Sequence, residues 1–281
     1  MRDFWLIFVT ALLLAGCSPD SPRPAASPDT PRRIVSLVPS LTELLFALGA
    51  GESVVGVTDN DDFPPEVKAR PSVGDMNINY EKVVSLRPDL VLLDPGFNTQ
   101  QARLESLRVP CRALATADLD RLPEQVLELG EIVGKQARAR QLVDKFEREV
   151  TEIRERASKQ PAPRVFIEIW STPLMTAGGG SFVDQLITLA GGKNIFSELD
   201  GYPNVSHEDL LLRDPDVIVL TTLDPTEAAR LPGWSNLRAV QQQRVFRIDS
   251  DPLVRPTLRA PSAARQLQEI FTPLPQAQTL D

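Results

Sequence analysis

Past residue 32, apolar residues fall into two alternating kinds of segment: short unbroken runs, and longer stretches in which they return every three or four positions. The first kind reads as strand and the second as helix. Ile34 to Val38 is a β-rich run that ends at Pro39, and "SLTELLFALGAG" follows with Leu44, Leu45 and Leu48 on one helical face. Ser40 and Glu43 stand at capping-box spacing at the head of that helix, and Gly49 and Gly51 stop it. "SVVGV" predicts a second strand, the acidic "TDNDDFPPEV" a turn-rich loop, "YEKVVSLRP" a short helix and "DLVLLD" a strand apolar on both faces. Strands of that kind belong to parallel sheets covered by helices on each side. "VPCRAL" adds a strand in which Cys111 is a small buried hydrophobe.

From about Lys135 to Lys159 the pattern changes. The chain is charged and free of Gly and Pro, and Leu142, Phe146, Val150, Ile153 and Ala157 return at helical intervals. At 1.5 Å per residue this predicts one helix of roughly 37 Å, long enough to cross a whole molecule. The apolar row covers barely three heptads, which favours a helix packed within its own chain, and a monomer, over a coiled-coil dimer. After "QPAP" the earlier grammar restarts: "RVFIEIW" is a strand, "GGGSFVDQLITLAGG" a glycine loop and a helix capped by Ser181, "EDLLLRDPDVIVL" a helix leading into a strand, "RVFRID" a strand and "APSAARQLQEIF" a last helix. The fold class is α/β, with similar lobes at 33–134 and 161–272 joined by a long helix at 135–160.

The segment ahead of the first lobe has no such pattern. "MRDFWLIFVTALLLAGC" places Arg2 before an apolar run from Phe4 to Leu14, too short to span a bilayer, which takes roughly 20 residues. Leu14-Ala15-Gly16-Cys17 looks like a bacterial lipobox, so 1–17 reads as a lipoprotein signal peptide with Cys17 as the lipid-bearing mature N-terminus. An ordinary secretory leader with a chance cysteine is the alternative. Residues 18–32 are a proline-rich tether that cannot pack, and 273–281 a tail. The expected location is outside the cytoplasm, lipid-anchored on the periplasmic side of a bacterial membrane. With Cys17 lipidated, Cys111 has no partner for an intrachain disulfide.

Composition excludes some classes. The 281 residues are 42% hydrophobic and 24% charged, which supports packed cores rather than disorder. A net charge of -8 offers no basic stripe for nucleic acid.

One repetition stands out. "EKVVSLRPDLVLL", 81–93, and "EDLLLRDPDVIVL", 208–220, align without gaps, placing Glu81 over Glu208, Pro88 over Pro215 and Asp89 over Asp216. Asn79 and Ser206 each lie two residues ahead of the glutamate, where an N-cap belongs. Each glutamate therefore sits in the first turn of a short helix, favoured by the helix dipole and directed to solvent. Local physics allows both to be plain surface acids. A duplicated lobe would instead display them at matching positions.

These segments, with "RIVSLVPSLTELLFALGAGESVVGVTDNDDFPPEV", "RVFIEIW" and "LAGGKNIF", closely resemble the cobalamin-type members of the helical-backbone substrate-binding proteins of ABC importers, from about Arg33 to Phe271. The resemblance implies two Rossmann-like lobes on one rigid helix, a ligand in the cleft between them, and a membrane permease with its ATPase as partner. It assigns Glu81 and Glu208 to docking on permease arginines. Pocket positions carried over one by one fall on Asn60, Asp75, Asp94, Met175, Tyr202, Asp251 and Arg255. Several aromatic surfaces of the family's pocket are carboxylates or amides here, at Asn60, Asp75 and Asp94, whereas the late half of the pocket matches. Acids in a cleft repel the negative charge of haem-like ligands and ferric siderophores but can accept from the amides of a corrinoid, so a cobalamin-like corrinoid is the expected ligand and haem or a ferric siderophore the alternative.

Other chemistries lack their residues. A free metal cargo calls for several histidines, and His207, read as exposed and incidental, is the single one. "DNDD", Asp59 to Asp62, lacks the glycine and terminal glutamate of a calcium loop and reads as a turn or a cleft-rim acid cluster. Gly178 to Ser181 reads equally as an anion cradle or a tight turn. An exported hydrolase, the alternative of another class, has neither a G-x-S-x-G elbow nor a second histidine. No catalytic cofactor or resident metal is expected.

Overall fold

The computed structural model describes residues 30–272 apart from 76, 97 and 117. The leader with Cys17, nearly all of the tether and the 273–281 tail lie outside the described residues.

Strands β1 (Ile34–Ser36), β2 (Val54–Gly56), β3 (Leu90–Leu93) and β4 (Cys111–Ala113) form a wholly parallel sheet in the order β2-β1-β3-β4. Helices α1 (Pro39–Ala47), α2 (Tyr80–Ser85) and α3 (Asn98–Ser106) connect them, and α4 (Leu122–Ile132) leads into the long α5 (Gln136–Ala157). The second lobe has β5 (Arg164–Ser171), β6 (Leu174–Thr176), β7 (Lys193–Asn194), β8 (Val217–Leu220) and β9 (Val245–Arg247), ordered β6-β5-β8-β9 with β7 also on β5. Its helices are α6 (Phe182–Leu189), α7 (His207–Arg213), α8 (Pro225–Ala228), α9 (Arg238–Gln241), α10 (Ser250–Val254) and α11 (Ala260–Phe271). Here β6 runs antiparallel to β5 as a hairpin, while the other pairs are parallel.

Period-two alternation sends successive strand residues to opposite cores. Ile34 and Leu92 face one core, and Val35, Val91 and Leu93 face another that holds Val83 of α2. In the second sheet Val165, Ile167, Val217 and Val219 face the first of these cores, and Phe166, Ile218 and Leu220 a third around Trp234. The first core is continuous from α1 through α4 and α5 into α6 and α11, so the lobes share it. The α5 helix has 22 residues, about 33 Å long. It buries Ala139, Val143, Phe146 and Ile153 against its own chain.

Two local expectations need correction. No capping box opens α1: Val38 is its N-cap without a side-chain bond, and Pro39, lacking an N–H, starts the helix where a donor would have no helical partner. Ser40 and Glu43 are instead buried. Cys111 is half-buried on β4, an edge strand of its sheet, where burial and then Glu105 push its thiol pKa up.

Candidate functional site

In open parallel sheets the loops beyond the carboxyl ends of the strands gather the ligand-binding groups. After β2 the acidic loop folds on itself: Asp61 Oδ2 accepts from the Thr58 amide and hydroxyl, each at 2.7 Å. That turn leaves Asn60 and Asp62 outward, and the Asn60 amide donates to Asp75 at 3.2 Å. After β9, Asp249 caps α10, which places Asp251 and Arg255 one turn apart at the same edge of the other lobe.

Arg255 then crosses between the lobes. Its guanidinium donates to Asp62 at 2.5 Å, to the Asn60 carbonyl at 3.1 Å and to Glu43 at 3.4 Å, and pairs with Asp251 at 3.3 Å. Asp75, Asn60, Arg255 and Asp251, four of the residues named from the sequence, thus form one connected chain. Beneath it, Arg259 grips Glu43 with two bonds, 2.9 and 2.6 Å. The Glu43 side chain is only 4% exposed. A carboxylate so buried is retained only when paired, and the bidentate arginine supplies the strongest pairing available to it. The Arg259 guanidinium also lies 4.3 Å over the Phe63 ring. A second interlobe bond joins the Leu119 amide to Gln185 Oε1 of α6 at 2.7 Å.

The two acids around Arg255 are driven apart. Burial, and then a hydrogen bond that its protonated carboxyl donates to Asp62, pushes Asp251 up to about 6. Burial would raise Asp62 too, but hydrogen bonds with Arg255 and Asp251 hold it below the usual carboxylate range. One carboxyl of the pair is thereby favoured as a donor and the other as an acceptor.

The remaining pocket candidates lie elsewhere along the carboxyl edge. Asp94 is not free for a ligand, because Oδ1 accepts from the Gly96 amide at 2.8 Å and Oδ2 from the Thr116 amide and hydroxyl at 2.9 and 2.6 Å. Against the raising effect of burial, these bonds hold its pKa low. It ties the β3 and β4 loops together. Met175 is half-buried on β6, and Tyr202 is 41% exposed on the loop before α7. Burial pushes the Tyr202 phenol up. Ser181 caps α6 as expected, accepting from the Asp184 amide at 3.2 Å. In the glycine loop Asp184 itself accepts from the Gly180 amide at 3.1 Å. Gly178 and Gly179 are required by close approach, since a Cβ would lie 2.2 Å from the Leu199 carbonyl and 2.1 Å from that of Ser197.

The twin helices are duplicated from head to foot. Asn79 caps α2 by accepting from the Lys82 amide at 2.9 Å, and Ser206 caps α7 by accepting from the Asp209 amide at 3.0 Å. Glu81 and Glu208 are both exposed in those first turns. At the feet, Arg33 donates to the Leu86 carbonyl while its own amide bonds Asp89 at 3.0 Å. Arg164 likewise donates to the Arg213 carbonyl while its amide bonds Asp216 at 2.9 Å. Arg87 and Asp214, aligned in the repeat, both take left-handed φ, 45° and 40°. The strand registers also match, Ile34 opposite Leu90 and Val165 opposite Val217. With the feet clamped at the amino ends of the strands, the glutamates stand toward the carboxyl edge.

His207 is not incidental. Half-buried, its Nδ1 accepts from the indole N–H of fully buried Trp234 at 3.0 Å, which locks the head of α7 to the third core. Among the described residues no group of three His, Cys, Asp or Glu side chains is placed to hold a metal ion. Sequence reasoning missed Glu43 and Arg259 as interlobe residues, whereas Asp62 fell within the acid cluster it read as a turn or a cleft rim. The available signals were a glutamate in a helix apolar almost all round, and two arginines four positions apart, Arg255 and Arg259.

Comparison with known proteins agrees with this architecture. A family model described as periplasmic binding protein matches residues 34–252. A Bacillus subtilis (strain 168) protein called ABC transporter substrate-binding lipoprotein YvrC is 35% identical over 253 residues, 86% of this chain and 81% of that protein. A vitamin B12-binding protein of Vibrio cholerae (strain ATCC 39541) is 30% identical over 267 residues, 93% of this chain and 92% of its own. Among solved structures, the periplasmic heme-binding protein RhuT of Roseiflexus sp. RS-1 superposes with a TM-score of 0.79 at 28% identity, covering 85% of this chain and 97% of RhuT.

Proposed function

The chain belongs to the periplasmic binding protein family, the extracytoplasmic substrate-binding receptors of ABC importers, and from that premise we propose that its cargo is a cobalamin-like corrinoid held in the interlobe cleft. It is a receptor and not an enzyme. The observation that carries the corrinoid reading is the state of Arg255, whose donors are already engaged by Glu43, Asp62, Asp251 and the Asn60 carbonyl. The cleft lip therefore offers acceptors to a ligand. A corrinoid brings amide donors to such a lip, whereas haem carboxylates and ferric catecholates require free arginine or lysine. The raised Tyr202 phenol works against the phenolate that an axial ligand to ferric iron supplies. Similarity to the vitamin B12-binding protein supports the same cargo; similarity to the heme-binding receptor supports haem as the alternative.

In this reading the protein is a monomer tethered by a lipid on Cys17, and Glu81 and Glu208 seat it on permease arginines. Calorimetric titration with cyanocobalamin, cobinamide, haemin and a ferric catecholate tests the cargo. Sub-micromolar corrinoid binding that weakens in Tyr202→Ala is the expected result. Corrinoid silence with tight binding of haemin or the catecholate overturns it.

A further inference from the structure

Trp170 lies near the carboxyl end of β5 and is 55% exposed, an uncommon state for a side chain with so much apolar surface. It is nonetheless fixed: its indole N–H donates to the Thr172 carbonyl at 3.0 Å, across the hairpin turn. Its register partner on β6 is Met175, which in turn bridges Asn204, close after Tyr202. Cross-strand partners share a face of the sheet, so Trp170, Met175 and Asn204 form one row, opposite in direction to buried Leu174. That face is the one Ala177 shares with Phe182 and Val183 in the first turn of α6. Tyr202 lies on the loop laid along β6, between Gly201 and Pro203, whose carbonyls accept from the Gly178 and Thr176 amides at 2.8 and 3.0 Å. One turn on, Gln185 of α6 contacts Leu119 of the other lobe, so the row lies on the side of the second lobe that meets the first.

We propose that Trp170 is the stacking platform of the cleft, with Met175 and Tyr202 completing a wall for the flat face of a conjugated macrocycle. The inference rests on the receptor function proposed above. The first lobe presents polar groups at Asn60 and Asp75, so apolar stacking area is left to the second. A single exposed hydrophobe is ordinary on a protein surface. This one is held in place by a hydrogen bond and continued by a thioether and a phenol, so a ligand meets an indole with little rotamer freedom left to lose beside an adaptable thioether.

Cyanocobalamin and haemin are titrated calorimetrically into the wild-type chain and into Trp170→Ala and Trp170→Phe, with thermal melts of each. The expected result is a loss of about tenfold or more in Trp170→Ala for whichever macrocycle the wild type binds, with Trp170→Phe within about threefold and all melts alike. Undiminished affinity in Trp170→Ala overturns the platform and leaves the receptor reading standing. Should the alanine variant melt early, the phenylalanine variant decides: a loss as large as in alanine, with a normal melt, removes stacking as the cause. A wild type that binds neither macrocycle overturns the platform together with the corrinoid reading.

Discussion

The two lobes agree at their twin helices and differ at the carboxyl edges of their sheets. Cap, exposed glutamate, left-handed C-terminal residue and arginine–aspartate clamp recur in α2 and α7 at matching positions. At the cleft edge, one lobe closes its sheet with parallel β2 and a polar loop, the other with an antiparallel hairpin bearing Trp170 and Met175. A surface that meets one kind of partner twice keeps its chemistry in duplicate. A surface that wraps one asymmetric ligand does not, because each half faces a different side of it.

The largest expected effect breaks the duplicated part. Replacing Glu81 and Glu208 together by lysine should abolish uptake by cells while calorimetric ligand affinity stays unchanged; lost affinity would refute docking as their role. Each single reversal should weaken permease binding by more than tenfold, from a pair contribution of about 1.5 kcal/mol or more. Unequal singles would show that the lobes are not read alike. Next in size is the seam between the lobes. Glu43→Gln strands Arg259 and part of Arg255 without their buried counter-charge, at a cost of about 3–5 kcal/mol in chemical denaturation. A cost below about 1 kcal/mol would mean that the shared apolar core alone joins the lobes.

The smallest effect sharpens the contrast between Asp251 and Asp62. Because the folded protein raises Asp251 to about 6, that group's contribution is complete below the ordinary carboxylate range and is lost as pH rises through the folded value. Asp62, held low, contributes above the ordinary range and loses its contribution on acidification. Asp251→Asn keeps a neutral hydrogen-bonding group at all pH values, so wild type should lose stability relative to this variant between about pH 4 and 7. A constant difference across that interval would show that Asp251 does not titrate there in the folded protein.

Most of the fold was legible because period and punctuation are local. Fully apolar "DLVLLD" and "DVIVL" announced buried parallel strands, and the α5 stripe announced a helix packed on its own chain. The twin helices were legible for a different reason, that the chain states them twice. Glu43 was misread because the spacing to Ser40 is a local signal, whereas its burial against Arg259 is made by residues more than two hundred positions away. The engagement of Asp94 with Thr116 was not legible, since those bonds depend on how β3 and β4 pair. Nothing near His207 in sequence predicts Trp234 as its donor. Trp170 reads as one more apolar strand residue until its exposure is known.

A receptor whose halves share one continuous core and one buried ion pair has little shape left to change when it fills. On the docking reading, the span between Glu81 and Glu208 is a ruler of fixed length rather than a signal of occupancy. A permease that gauges only this ruler accepts empty and loaded receptors with equal readiness. Empty copies then queue for the same seat as full ones, and the rate of import is set by the fraction of receptors that are loaded as much as by their number.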